Sequence, residues 1–387
     1  MESIFQTNEM YRKTLWTKCR YPSFVSENSV LKEGYLLVGN KFSPPKLKFI
    51  QVTPKKIILK DNPNSRTTHL MFLSFKHLQE FHNDLLCGFR LWWNNLFEEF
   101  SCSDFCEVSQ WKQALRPYVL MTDIQKDIEV CSLLTKTKRS TVYLGQDKSS
   151  SQKVVIKAIR KTFTRSNVQD LTQEIRIMRD CLVTQSVKLL SVYEHCEYVY
   201  LVMEFLPAMD FLKFLKLKKG LPESQAVQVV KKLLCIVSEL HSKNIVHRDL
   251  KLENLLLYSD KDISDFRLGD FGLATYMKNQ PLTRKCGTVG YMAPEVLNSE
   301  PYTSKADVFS IGVVFCTLLL GYNPVLGLNQ QETMVRNMRG FVHIPEHFLN
   351  QLSTETIEAI YAMTAFNPEV RPSCQEALKF PIFSSTV

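Results

Sequence analysis

The sequence predicts an α+β protein in two parts: a small β-rich part with a closing helix over residues 31–121, and a larger part over 128–383 that runs from strands to helices. Three observations predict it. Residues 31–60 carry short apolar runs separated by turn signals. Val108, Trp111, Leu115 and Val119 then recur at helical spacing. From Ile128, strand-like segments come first, an amphipathic helix follows at about 168–180, strands resume to about 206, and helical periodicity dominates after 220. Residues 1–30 show no clear period and are expected to form an arm.

In the first part, Gly34-Tyr35-Leu36-Leu37-Val38, Leu47 to Val52 and Ile57-Ile58-Leu59 are expected strands, with turns at Ser43-Pro44-Pro45 and Thr53-Pro54. Residues 70–100 add short aromatic-rich stretches without sharp bounds, and Pro117 ends or kinks the closing helix. Several short strands, the opening Lys32-Glu33-Gly34-Tyr35-Leu36 and an inward Trp111 on the last helix resemble a pleckstrin-homology (PH) domain. That resemblance implies a phosphoinositide head group on an alternating basic pair, Lys46 and Lys48, although Val38 stands near where a lysine is expected. A domain that packs on its neighbour or binds a protein is the competing reading. Residues 121–127 are expected to be a short connector.

The second part holds an ordered series of motifs. Val154-Val155-Ile156-Lys157 places a lysine on an expected strand, a weak signal alone because solvated lysines at strand ends are common. Glu174 lies on a helix whose apolar face includes Leu171, Ile175 and Met178; alone it would be an ordinary helix carboxylate. His247-Arg248-Asp249-Leu250-Lys251-Leu252-Glu253-Asn254 is far more specific. Asp270-Phe271-Gly272 and Met292-Ala293-Pro294-Glu295 follow in order. Phosphoryl transfer needs metals and a cation on the phosphates and a carboxylate beside the attacking hydroxyl. The series supplies each part and resembles that of eukaryotic protein kinases.

The resemblance implies a bilobal protein-kinase fold preceded by the PH-like domain, and transfer of the ATP γ-phosphate to Ser/Thr hydroxyls of protein substrates. By resemblance, Asp249 accepts the hydroxyl proton, and Lys251 beside it marks the Ser/Thr class. Lys157 meets the phosphates, oriented by Glu174, while Asn254 and Asp270 hold Mg²⁺. Val142 and Leu256 sandwich the adenine, Met203 backs its pocket, and backbone groups of Glu204 and Leu206 meet its edge. Glu295 pairing with Arg371, and Asp307 anchoring the catalytic loop, are implied structural roles; Thr288 is implied to touch Asp249 and Lys251. The segment Cys286 to Glu295 is similar to the calcium/calmodulin-dependent group. Glu253 and Asp210 then fall where related kinases hold an arginine N-terminal to the target, so basic substrates are expected. Arg248 implies an activation-loop phosphate; at Thr283 it would add about −1.5 to −2 of charge.

Two departures weigh against activity. The phosphate-covering loop reads Leu134-Thr135-Lys136-Thr137-Lys138-Arg139-Ser140-Thr141-Val142, with Thr135, Thr137 and Ser140 at the three glycine positions. Glycine allows positive φ and close backbone approach, and β-branched Thr resists both. Val155 replaces the alanine expected above the adenine ring. The charged set of Lys157, Glu174, Asp249, Asn254 and Asp270 is complete, which favours an active enzyme over a pseudokinase scaffold recruited through its PH-like domain.

Composition narrows the rest. A hydrophobic fraction of 45% with 22% charged residues is globular. The net charge of +9 fits a basic surface or an acidic partner such as a phosphoinositide membrane, but no dense Arg/Lys block with interleaved aromatics supports nucleic-acid binding. The eleven cysteines include no CxxC pair, which favours reduced thiols in the cytoplasm, with a peripheral membrane location through residues 31–121 as the alternative. No signal peptide is expected, and Ile311 to Leu320 is too short to span a bilayer. No EF-hand loop follows the last helix, so calcium sensing through EF-hands is not expected.

Overall fold

The computed structural model describes residues 17–19, 30–65, 68–82, 86–93, 96–137, 140–162, 164–180, 185–340 and 342–384. Its contacts divide the chain into two compact units. The first is residues 1–168 with 188–205, and the second 169–187 with 206–387.

The first unit holds one sheet. Strand β1 (Thr17–Cys19) precedes a four-strand meander of β2 (Lys32–Asn40), β3 (Ser43–Val52), β4 (Lys56–Lys60) and β5 (Thr68–Phe72). A three-strand meander follows: β6 (His77–His82), β7 (Cys87–Trp93) and β8 (Leu96–Cys102), with β8 returning to pair with β2. Helix α1 (Phe105–Leu115) closes this region, capped by the Asp104 carboxylate on the Cys106 N–H at 2.8 Å. Val108, Trp111 and Leu115 face inward, as the helical spacing predicts, and Pro117 follows the end of the helix. Trp111 is fully buried, and a Cβ on Gly34 would stand 3.3 Å from its ring, so the strand passes close only because residue 34 has no side chain.

Three sequence expectations change. The Ser43-Pro44-Pro45 turn is the beginning of β3; the reversal is at Lys41-Phe42, where the Asn40 side chain accepts from the Phe42 N–H and the Ser43 hydroxyl. The prolines are tolerated because β4 pairs with β3 only from Phe49 onward, so that side asks no N–H of them. Within the expected arm, Thr17–Cys19 is a strand pairing with β5; the other arm residues before Val30 lie outside the described ones. The expected connector is itself structured: β9 (Leu120–Met121) is followed by α2 (Ile124–Asp127).

β9 pairs in parallel with β6 on one side and β13 (Leu189–Glu194) on the other. The strands after α2, which are β10 (Ile128–Lys136), β11 (Ser140–Asp147), β12 (Lys153–Arg160), β13 and β14 (Tyr198–Glu204), therefore continue the same sheet. The core is continuous too: Leu36, Ile50, Phe89 and Trp111 belong to one buried cluster with Ile128, Val154, Ile156, Tyr193 and Val202. Arg116, just past α1, reaches Asp147 at the end of β11 at 2.6 Å. Burial favours the neutral Asp147 carboxyl, but hydrogen bonds from Ser149 and Arg116 prevail and hold it down to about 2. That tie weakens only as pH falls from about 4 toward this value.

Helix α3 (Arg165–Asp180) belongs to the second unit from Gln169 on. The unit continues with α4 (Phe211–Lys218), α5 (Glu223–Ser242), β15 (Ile245–Val246), β16 (Leu255–Leu257), β17 (Phe266–Leu268), β18 (Thr275–Tyr276), α6 (Pro294–Leu297) and α7 (Lys305–Leu320). Helices α8 (Gln330–Met338), α9 (Glu346–Leu349), α10 (Thr354–Met363), α11 (Cys374–Ala377) and α12 (Pro381–Ser384) complete it. Every residue of α7 after Lys305 is buried, against α5 and α10, as expected of the apolar run. Among the described residues no helix is long and apolar enough to cross a membrane.

Trp111→Ala should lower the unfolding free energy by about 3–5 kcal/mol in urea titrations, with Trp111→Phe losing distinctly less.

Candidate active site

The segment between β15 and β16 carries a dense set of polar residues, and Asp307, on the first turn of α7, organises it. This carboxylate is almost wholly buried. Oδ2 accepts from the His247 N–H at 2.8 Å and from His241 Nε2 at 3.0 Å, and Oδ1 accepts from the Arg248 N–H at 2.8 Å. Burial pushes its carboxyl up, but the His241 bond and the backbone donors outweigh it and leave it below the usual carboxylate value. Arg248 sits at φ +67°, a left-handed conformation that two N–H bonds into one carboxylate hold in place.

The next residue, Asp249, is thereby aimed at a compact set of partners. Its Oδ1 accepts from the Thr288 hydroxyl at 2.6 Å and its Oδ2 from Lys251 Nζ at 2.9 Å. Lys251 Nζ also donates to Thr288 Oγ1 at 2.7 Å. The Asn254 amide donates to the Asp249 carbonyl at 2.8 Å, which fixes the amide and leaves its oxygen as the available donor to a cation. The arrangement is a carboxylate held by a cation and a hydroxyl, suited to receive a proton from an alcohol.

The β16–β17 ladder brings the Asp270 motif to the same place. Leu255 pairs with Leu268, and the Gly269 N–H donates to the Asn254 carbonyl at 2.8 Å. Phe271 is buried and packs edge-on to His247 at 5.2 Å, and His247 Nε2 donates to the Gly269 carbonyl at 3.2 Å. Asp270 itself has φ +54°. The Asn254 amide oxygen and the Asp270 carboxylate are hard oxygen donors of the kind Mg²⁺ takes, its remaining positions going to water or phosphate. No group of three or more His, Cys, Asp or Glu side chains is placed to hold a metal among the described residues.

The segment that carries Thr288 is pinned by buried side chains. Asn337 accepts from the Gly290 N–H at 2.7 Å and donates to the Met292 carbonyl at 2.6 Å, and Ser310 donates to the Tyr291 carbonyl at 2.7 Å. Gly287 has φ +125°, and a Cβ there would come within 2.8 Å of the Arg248 carbonyl, so no other residue fits this approach to the catalytic loop. Glu295 and Arg371 form the expected pair, fully buried with bonds of 2.7 and 3.1 Å. Leu206 is buried in this unit, Leu256 is half-buried against the Gly269 backbone, and Glu174 is buried on α3.

In the first unit, Lys157 stands opposite Val142 on one side and Leu201 on the other, and Val155 opposite Met203. Strand alternation puts Val155 and Lys157 on one face of β12 and the buried Val154, Ile156 and Ala158 on the other. The Glu204 N–H donates to the Lys188 carbonyl at 3.0 Å, and its carboxylate accepts from the Lys188 N–H at 2.8 Å. At the glycine-free loop, Thr137 and Ser140 close a hairpin: the Thr137 N–H and hydroxyl both donate to the Ser140 carbonyl, at 2.8 and 3.1 Å, and the Ser140 N–H donates back to the Thr137 hydroxyl at 3.1 Å. Lys138 and Arg139 lie outside the described residues.

Several contributing residues carry no motif of their own. His241, Tyr302 and Asn337 act on backbone or on one charged group, and single polar residues on long helices or in loops look like surface in a sequence. Tyr302 accepts from Arg248 at 3.4 Å and donates to the Arg284 carbonyl at 2.7 Å, joining the loop that holds Asp249 to the segment that leads to Thr288.

Residues 129–383 match the family model described as protein kinase domain. Among similar proteins is the probable serine/threonine-protein kinase 2 of Plasmodium falciparum (isolate K1 / Thailand), 35% identical over 240 residues, 62% of this chain and 46% of that one. The calcium/calmodulin-dependent protein kinase type 1 of Caenorhabditis elegans is 32% identical over 246 residues, 63% of this chain and 71% of its own. The type 1B enzyme of Homo sapiens is 32% identical over 257 residues, 66% of this chain and 75% of its own. The matched stretch thus spans less than half of the Plasmodium relative and about seven tenths of the others.

Asp307→Asn should cost about 3–5 kcal/mol at pH 7, because it leaves buried donors facing an amide. The folded carboxyl titrates below its unfolded value, so its stabilisation is present above about pH 4 and lost below. The gap between wild type and variant should therefore close as urea titrations are repeated down to pH 3.

Proposed function

The chain belongs to the protein kinase domain family and is a serine/threonine protein kinase; from that premise we propose that it is catalytically active with Mg²⁺-ATP, acts on Ser/Thr near basic residues, and carries a PH-like domain at its N-terminal side. The observation that carries activity is the Asp249 carboxylate held by Lys251 and Thr288, with the Asn254 amide tied to its backbone. Mg²⁺, when bound, neutralises phosphate charge. Asp249 takes the proton of the target hydroxyl, and Lys251 and Thr288 hold that carboxylate in position. By resemblance, Lys157 supplies the cation to the phosphates, and the carbonyl of Glu204 meets the adenine edge, since its N–H is committed to Lys188.

The rival reading, a pseudokinase scaffold, draws on the loop at Thr137 and Ser140. Their mutual hydrogen bonds tie together two residues that stand where the resembled family has glycine. This removes no charge the chemistry needs, so its expected effect is a high KM for ATP. With labelled ATP and Mg²⁺, wild type should phosphorylate a basic Ser/Thr peptide and Asp249→Asn should not. Absence of transfer by wild type across millimolar ATP, with the loop phosphorylated at Thr283, would overturn the active reading in favour of the scaffold. The double substitution Thr137→Gly, Ser140→Gly should lower the ATP KM several-fold.

Glu253 is exposed beside the catalytic loop, whereas Asp210 caps α4 through the Lys213 N–H at 2.9 Å, so Glu253 is the stronger candidate for a substrate arginine. Glu253→Gln should shrink the preference for a peptide with an upstream arginine over one without it, at unchanged ATP KM. Thr283, exposed between Leu282 and Arg284, is the proposed activating phosphosite.

The PH-like reading is supported by strand order: a four-strand and a three-strand meander joined by β2–β8 pairing, then one helix with a buried Trp. Its proposed ligand is a phosphoinositide head group at Lys46 and Lys48; Lys48 is already paired with Asp61, and Val38 stands opposite Lys46. Sedimentation of the full chain with phosphoinositide vesicles should exceed that with neutral vesicles, and Lys46→Ala should remove the difference; equal binding to both would leave a cytoplasmic protein that uses this domain otherwise.

A further inference from the structure

Glu194, at the end of β13, has only 1% of its side chain exposed. Its two oxygens answer to two different regions. Oε2 lies 2.7 Å from Nε2 of His77 on β6, in the N-terminal β region. Oε1 lies 2.8 Å from the ammonium of Lys161, which is likewise 1% exposed. Lys161 directly follows β12, four residues after Lys157, and its N–H donates to the Glu197 carbonyl at 2.7 Å. A line of buried polar contacts therefore runs from His77 on β6 through Glu194 on β13 to Lys161, beside the strand that carries Lys157.

Charges this deep are costly to desolvate, and apolar residues of equal size would serve stability as well or better. What they supply is a single geometry. The back face of β12 is held from the same side, because Val154 and Ile156 lie in the core cluster that contains Trp111 and Phe89. Further ties join the two regions: Lys112 of α1 to Asp127 at 2.7 Å, and the buried Tyr193 hydroxyl to the other oxygen of Asp127 at 2.8 Å.

We propose that the N-terminal β region is a positioning element for phosphotransfer, and that His77, Glu194 and Lys161 are positioning residues that set β12, and through it Lys157, for the nucleotide. The region is then part of the nucleotide-binding apparatus of its neighbour and not only a recruiting module. On that reading the demand is sharper in this chain, because Thr135, Thr137 and Ser140 stand where the resembled family has glycines that allow close backbone approach, which leaves Lys157 a larger share of nucleotide affinity.

The proposal rests on the reading of an active kinase, and the test separates the two. Full-length wild type, His77→Ala, His77→Gln and Lys161→Met are compared for calorimetric Mg²⁺-ATP affinity, for KM of ATP and of peptide, for hydrogen exchange in residues 153–160, and for thermal unfolding. His77→Ala and Lys161→Met should weaken ATP affinity and raise its KM about tenfold, with peptide KM unchanged and faster exchange in β12. His77→Gln, whose amide still donates to Glu194, should return to within about twofold of wild type. Unchanged ATP affinity and β12 exchange in both His77→Ala and Lys161→Met overturns the proposal. So does a loss that follows only the folded fraction and is not restored by His77→Gln. A wild type that binds ATP without transferring phosphate removes the active-kinase reading alone, because affinity and exchange still report on the brace.

Discussion

One buried carboxylate sets the catalytic segment. Asp307 takes two successive backbone N–H groups, at a point where the chain bends through the left-handed region at Arg248. Strain at a non-glycine residue costs on the order of 1–3 kcal/mol and persists only where surroundings over-determine it. Here they do: His241 shares the carboxylate, Arg248 reaches the Leu273 carbonyl at 2.7 Å, and Gly287 passes close enough to need no Cβ. The direction of Asp249, and with it the contacts of Lys251, Thr288 and Asn254, follows from this bend.

The second unit shows how the fold divides labour between charge and packing. The charged groups there, Asp249, Lys251 and Asp307, are few and held by short hydrogen bonds. From Ala306 on, α7 carries one charged side chain, Asp307, among apolar and neutral ones, and all of them are buried. The segment with Thr135, Thr137 and Ser140 belongs to neither category: it stands where the resembled family has glycines, and none of its three substituted positions is one of those charged groups.

Legibility in the sequence followed the same division. The loop from His247 to Asn254 and the Asp270 motif could be read in advance because chemistry restricts residue type at fixed spacing, and the Glu295–Arg371 pair only as what the family resemblance implies. Trp111 and α7 were legible because periodicity and length report burial. The strands of residues 68–102 were not, since short segments with mixed aromatic and polar residues give no clean alternation. Ser43-Pro44-Pro45 misled because proline marks turns and unpaired strand ends alike. Asn337 and Tyr302 bind backbone groups, a task that leaves no pattern. Least legible was Leu120–Met121: three buried residues from Val119 onward look like the tail of a helix until two strand edges are known to need a filler.

That two-residue strand also governs the order in which the molecule can be completed. Leu120 and its partner Val192 are 72 residues apart (192 − 120), and chains emerge from synthesis at roughly 5–20 residues per second. The first eight strands can close into a layer, helix and all, while β9 still has one bare side. For several seconds the growing chain therefore presents an unpaired edge beside an apolar floor that awaits Tyr193 and Val202, the arrangement most prone to pair with a foreign strand. The seam that makes the finished unit continuous is, during birth, its most vulnerable place.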